Sequence, residues 1–192
     1  MLREQLRPAI MMFIFLTALT GIVYPLTVTG LAQVFFHKPA NGSLLFASDG
    51  KPVGSALIGQ NFDDPQYFWG RLSATTPPYN ASASSGSNLG PANPALLEAV
   101  KARIAALRTV DPNNATTIPV DLVTASASGL DPQISLAGAY FQLPRVARVR
   151  HLPDETVRNI IDQNTTSRCL GILGEPAVNV LKVNLALDEF KK

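Results

Sequence analysis

Cysteine is almost missing from this chain: Cys169 is the only one in 192 residues. No disulfide can form within the chain, and its setting, CLGIL, reads as a small residue in a core. Histidine is equally scarce. His37 and His151 are the only two, and their separation gives no metal-ligand spacing. Charge is thin at 16% of residues, and beyond His37 the 14 basic side chains face 13 acidic ones. That balance excludes the basic footprint of a nucleic-acid partner. Long apolar runs are also missing, with one exception.

The exception is Pro8 to Phe36, which is 29 residues without a charged side chain. As a helix it would measure about 43 Å at ~1.5 Å per residue, enough to cross a hydrocarbon core of roughly 30 Å with tilt. A cleavable signal peptide would have an apolar region of only ~7–15 residues and a small-x-small cleavage site. Neither feature is present, so an uncleaved anchor is expected. Arg3 and Arg7 precede the run and Lys38 alone follows it closely. Translocating positive charge is disfavoured, so residues 1–7 are expected in the cytoplasm and residues 38–192 outside it, as one extracytoplasmic domain. Those 155 residues are enough for one domain with a real core. Along the anchor, Thr17, Gly21, Pro25 and Thr29 recur every four residues, with Gln33 continuing the row. Small residues at that spacing let a second helix approach closely. Pro25 removes one backbone donor and predicts a kink.

The soluble part alternates short strand signals with helix signals, which predicts an α+β domain of short antiparallel strands and about three helices. Ser43 to Ala47, the Asp49-Gly50 turn and Val53 to Phe62 read as a hairpin. Gly54-x-x-x-x-Gly59 lacks the lysine and hydroxyl of a phosphate loop. Ser48-x-x-Lys51 lies in an exposed turn and carries no nucleophile. Tyr67-Phe68-Trp69 should anchor the loop behind it, with Arg71 forking to a carboxylate or to loop carbonyls. Ser73 to Pro94 is 22 residues of small, uncharged side chains. It is expected to be an ordered loop, pinned by its own Ser and Asn side chains.

Asn93 and Pro94 then open a helix whose apolar stripe is Leu96, Leu97, Val100, Ile104 and Leu107, with Glu98, Lys101, Arg103 and Arg108 mostly off it. Ile118 to Thr124 predicts a strand, and Asp131-Pro132 a second capped helix to Leu143, interrupted at Pro144. Ala-Ser-Ala-Ser occurs at 81–84 and at 125–128. The two small-residue loops either share a site with exposed N–H groups or repeat by chance. Arg145, Arg148 and Arg150 either meet lipid or an acidic partner, or form a locally paired face. A third helix begins at Pro153. In Val178 to Leu187, Val183, Leu185 and Leu187 alternate with polar or small residues and predict a strand.

The blocks YFWGRLSA (67–74), YNASASSGSNLGPANP (79–94), VDLVTASASGLDPQIS (120–135), QLPRVARVR (142–150) and GEPAVNVLKVNLALD (174–188) resemble the KdpC family, one of the components of the Kdp potassium-transporting ATPase. Asn88 and Leu89 between Ser87 and Gly90, and the Gly129-Leu130-Asp131-Pro132 turn, look like its signatures. Ala177 stands where the family pattern suggests arginine. The resemblance implies a non-catalytic subunit of a bacterial inner-membrane complex, aiding assembly. It also implies a catalytic chaperone that promotes ATP binding by the P-type ATPase subunit. Partners would be that subunit, a potassium-binding channel-like subunit and membrane lipids. No stably bound cofactor is implied, and ATP would enter through the complex. Gln60 and Gln142 are the two candidates for a nucleotide contact, and the sequence does not choose between them. Arg71, Ser87, Asn88, Asn93 and Asp131 are candidates for loops that touch partners.

Two other readings compete with this one. An anchored hydrolase would use Asp121, Asp131 or the loop serines, but no histidine accompanies them at recognisable spacing. A nucleotide-binding regulator would bind ATP directly.

Overall fold

The computed structural model describes residues 2–190, with Leu2 and Arg3 by backbone alone. The Arg3 side chain, on which the orientation argument partly rests, and Lys191 and Lys192 lie outside the described residues. The chain divides into two compact units, Met1–Ser43 and Leu44–Lys192.

In the first unit, α1 (Leu2–Ala18) and α2 (Tyr24–Phe35) are joined by a π-helical turn, Leu19–Val23. Together they provide Glu4–Phe35, 32 residues long and apolar enough to cross a membrane. The irregularity expected from Pro25 takes the form of this π turn. The Tyr24 N–H reaches back five residues to the Leu19 carbonyl just before the proline, a local widening that accommodates a broken ladder. Thr20 and Thr27 donate to the Leu16 and Val23 carbonyls, which satisfies both hydroxyls within the helix. After a break at Phe36, α3 (His37–Ala40) follows. Asn41 then folds back to donate to Gln33 Oε1 at 3.1 Å.

The second unit starts with the hairpin β1 (Leu44–Phe46) and β2 (Pro52–Ser55). Its turn is the expected one: Gly50 has φ +79° and the Lys51 N–H donates to Asp49 Oδ1. The return strand stops at Ser55, and Ala56 to Asn93 contains no helix or named strand. Helix α4 (Pro94–Val110) opens on Asn93, whose side chain accepts the Ala95 N–H. Then come a 3-10 turn (Val120–Leu122), β3 (Gln133–Ser135), α5 (Leu136–Arg150), α6 (Asp154–Gln163), β4 (Thr165–Thr166), β5 (Ala177–Asn179) and α7 (Val180–Glu189). The sheet is antiparallel in the order β3-β5-β4. Phe68, Leu122, Ile134, Val146, Ile161 and Val183 lie at the centre of one core. The domain is α+β, as read from the sequence.

Several local expectations give way. Residues 118–124 form no strand, because Asp121 turns its carboxylate to the Ser135 N–H at 2.7 Å and the chain curls into the 3-10 turn. Asp131 caps no helix. Its carboxylate takes the Gln133 N–H, Ile134 pairs with Val178, and the helix opens four residues later on Ser135. Pro144 does not stop α5, because burial of Leu143, Val146 and Ala147 on either side of it overrides the local preference. The last segment is helix after Asn179. Val180, Leu181, Val183, Asn184 and Leu187 are its buried positions; four of them, 180, 183, 184 and 187, fall at the three-, four- and seven-residue spacing of a helix face, so the alternation is the weaker period. On α4, Leu97 and Ile104 are exposed while Arg103 faces inward. Cys169 is exposed.

Replacing Ser135 with Ala should cost about 1 kcal/mol by removing the true cap of α5. Urea unfolding of the full chain in detergent measures it. An unchanged midpoint would return the cap to Asp131.

Candidate functional site

Phe68 and Trp69 are buried, yet they belong to no strand. Buried peptide groups need partners. Two side-chain amides supply them. Asn184 of α7 accepts the Phe68 N–H at 2.8 Å and donates to the Phe68 carbonyl at 3.0 Å. Gln142 of α5 does the same for Trp69, at 2.8 and 3.1 Å. Gln142 Nε2 also donates to the Gly138 carbonyl, and its Oε1 accepts Arg145 Nη2 at 2.7 Å. Both hydrogens and both lone pairs of this amide are therefore used inside the core. Gln60 is half-buried and donates to the Val53 carbonyl at 2.7 Å. It lies beside Tyr67, Leu181 and Asp188 at a small cleft.

The Trp69 ring lies between two guanidinium groups, Arg103 at 5.0 Å and Arg145 at 5.1 Å from its centroid. Arg103 also donates to the Leu122 and Gly70 carbonyls. Arg145 donates to the Pro65 carbonyl. Burial pulls Arg145 down to about 10, which still leaves it charged through the neutral range. The expected basic run is thus locally paired. Arg148 meets Asp111 at 2.8 Å, and Arg150 reaches Asp188 and the Gln66 and Leu187 carbonyls. The inward role of Arg103 had a legible signal: it falls three residues after Val100 and four before Leu107, on the stripe itself.

Arg71 and Asp131 are brought together, with Nη1 to Oδ2 at 3.2 Å, while Arg71 Nη2 donates to the Ala125 carbonyl. The Arg71 Nε is buried and is the one such side-chain atom without a partner among the described residues. The fork expected of Arg71 is present. Behind it the uncharged loop is ordered. Ser73 accepts the Tyr79 N–H and donates to the Gly129 carbonyl, and the Tyr79 hydroxyl donates to the Arg71 carbonyl at 2.6 Å. Burial pushes that hydroxyl above the ordinary tyrosine range.

The two Ala-Ser-Ala-Ser loops do meet. The Ser85 N–H and Ser84 hydroxyl both donate to the Ser128 carbonyl at 3.0 Å. A side chain at Gly86 would stand 2.7 Å from the Ala127 carbonyl, so the contact needs glycine there. Their N–H groups are thus partly used by each other, and the second loop leads into β3 rather than a helix. Ser87 and Asn88 remain exposed, Asn88 at φ +50°, and Ser87 lines a shallow groove of about 460 Å³ with Ala99, Ala102 and Ala106 of α4. Asn93 is spent on its cap. Thr17, Gly21, Pro25 and Thr29 are exposed along the first unit, and a Cβ on Gly21 would meet nothing within 4 Å.

Gln142→Leu or Asn184→Leu each strands a buried N–H and carbonyl, and each should cost about 2–4 kcal/mol in urea unfolding. Gln60→Leu should cost about 1 kcal/mol. Equal small losses at all three positions would dismiss the amide clamps.

The family model for the K+-transporting ATPase, c chain, matches residues 6–189. A Potassium-transporting ATPase KdpC subunit of Polaromonas naphthalenivorans (strain CJ2) is 64% identical over 191 residues, covering 99% of this chain and 97% of the relative. The protein of that name from Ralstonia nicotianae (strain ATCC BAA-1114 / GMI1000) is 60% identical over 187 residues, covering 97% and 91%. That of Dechloromonas aromatica (strain RCB) is 59% identical over 192 residues, covering 100% of both. With the family match spanning residues 6–189 and relatives 59–64% identical over nearly the whole chain, this chain belongs to the K+-transporting ATPase c-chain (KdpC) family.

Proposed function

We propose that the chain is the accessory, non-catalytic subunit of an ATP-driven potassium uptake complex. Its task is to hold neighbouring chains together while they carry out transport and ATP hydrolysis. The observation that carries this reading is the family match across residues 6–189. The exposed row of Thr17, Gly21, Pro25 and Thr29 supports it. Gly21 has open space around it, so its smallness serves nothing within this chain. It suits a helix from another subunit. The proposed partners are a potassium-binding channel-like subunit and a P-type ATPase subunit. The proposed place is a bacterial inner membrane, with the N-terminus in the cytoplasm and the domain outside, because Arg7 precedes the apolar run with Arg3.

The protein also promotes ATP binding by the ATPase subunit, acting through contact between chains rather than through a nucleotide pocket of its own. Gln142 is consumed by Trp69, Gly138 and Arg145. Gln60 gives one hydrogen bond from Nε2 to the Val53 carbonyl and lines a small cleft, so of the two amides it is Gln142 whose bonding capacity is used up inside the core.

Gly21→Leu should lower recovery of the assembled complex in detergent about tenfold, a loss of ~1.4 kcal/mol in association. Full recovery would remove the helix contact. Labelled ATP titrated against the full chain alone should show no saturable binding at millimolar ligand. Saturation there would favour the nucleotide-binding regulator instead. A reporter fused to the C-terminus should respond only outside the cytoplasm.

A further inference from the structure

Residues 166–175 are ten consecutive exposed residues. They continue the β4–β5 pairing outward as an arm. Thr166 pairs with Ala177, Arg168 meets Glu175 at 2.7 Å, and Cys169 and Leu173 exchange both backbone hydrogen bonds at 2.8 and 3.0 Å. Two further backbone bonds, Gly171 to Arg168 and Ile172 to Cys169, close the turn. The arm is therefore a built hairpin rather than slack chain. Its neck is polar, but its tip is not. Leu170, Ile172 and Leu173 stand 86%, 74% and 59% exposed. Leu170 holds φ +53°, beside Gly171 at +77° and before Gly174 at +84°. A leucine in the left-handed region costs roughly 1 kcal/mol or more. The turn thus accepts strain while presenting a large apolar side chain to water.

We infer that this tip is a plug that seats in a neutral, aliphatic-lined cleft of another protein subunit. The inference rests on the proposed membership of a complex and adds the surface used. One observation favours protein over lipid as the occupant. The neck carries no net charge, since Glu175 holds Arg168 through both carboxylate oxygens, so anionic headgroups gain nothing from it. A second copy of this chain is disfavoured by size. Three aliphatic side chains fall well short of the ~800 Å² per partner that a stable dimer buries. The tip is an anchor inside a larger contact, where a few desolvated side chains carry much of the energy.

Cys169 is the sole cysteine of the chain and sits at the base of the tip, which makes it a native probe. In the assembled complex, maleimide should modify Cys169 at least about tenfold more slowly than in the full chain alone in the same detergent, read by mass spectrometry of its peptide. Equal rates would overturn the plug. Leu170→Asp combined with Ile172→Asp should reduce co-recovery with the other subunits about tenfold. Its circular dichroism should match that of the parent chain, because both side chains are exposed. Undiminished co-recovery would also overturn the inference. So would quenching of a bimane on Cys169 by spin-labelled lipid in vesicles holding the chain alone, which would assign the tip to the bilayer. Protection in the isolated chain that rises with concentration would assign the tip to a second copy and reject the cleft. Failure of the parent chain to assemble at all would instead strike the proposed function itself.

Discussion

A peptide segment buried without a neighbouring strand is the constraint on which this domain depends. Phe68 and Trp69 run through the core, and their N–H and carbonyl groups would be stranded there. Asn184 and Gln142 act as surrogate strand neighbours, each accepting from one N–H and donating to the same residue's carbonyl. The two amides come from α7 and α5, so the clamp ties both helices to one irregular segment. Arg145 fixes the orientation of Gln142 by donating to its Oε1, which leaves the amide one workable flip state.

The same logic extends outward through the arginines. Most of the coil between β2 and α4 has no ladder to satisfy its carbonyls. Guanidinium groups do that work. Arg145 reaches Pro65, Arg150 reaches Gln66, Arg103 reaches Gly70, and Arg71 crosses to Ala125. A planar fork of five donors suits this role better than an ammonium would. The aromatic rings complete the arrangement, with Trp69 between Arg103 and Arg145 and Tyr67 under Arg150. A long stretch of coil is thereby hydrogen-bonded without a sheet.

What the sequence discloses follows from what is local. The Asn93-Pro94 start, the Asp49-Gly50 turn and the apolar run each depend on a few adjacent residues, and each appears where expected. The aromatic anchor and the Arg71 fork are also legible, since large rings and a lone arginine before an uncharged loop have few uses. The differences arise where tertiary contacts choose between local options. Asp131-Pro132 carries a good cap signal, but pairing of Ile134 with Val178 draws the chain into a strand first. Val180 to Leu187 satisfies both a period of two and a period near 3.6, and packing on the core selects the helix. Cys169 reads as buried because its neighbours are apolar, yet the hairpin that continues outward from the Thr165–Thr166 strand carries all of them into solvent. The amide clamps leave no trace, because a glutamine beside a leucine gives no sign of which peptide it will meet 73 residues away.

The internal pairing of charge also bears on how such a protein meets its neighbours. Arg71, Arg145, Arg148, Arg150 and Arg168 all have carboxylate or amide partners within the domain. These five guanidinium groups are thus engaged within the domain. Among the described residues, surfaces of another kind are left open: the small-residue row of the anchor, the alanine-lined groove beside Ser87, and the aliphatic tip at Leu170 to Leu173. Surfaces of that sort discriminate by shape and by exclusion of water, act only at contact, and respond weakly to salt. A subunit that assembles alongside its neighbours in one membrane needs no steering from a distance. It needs surfaces that fit once the chains are already close, and a core stiff enough to keep those surfaces in place.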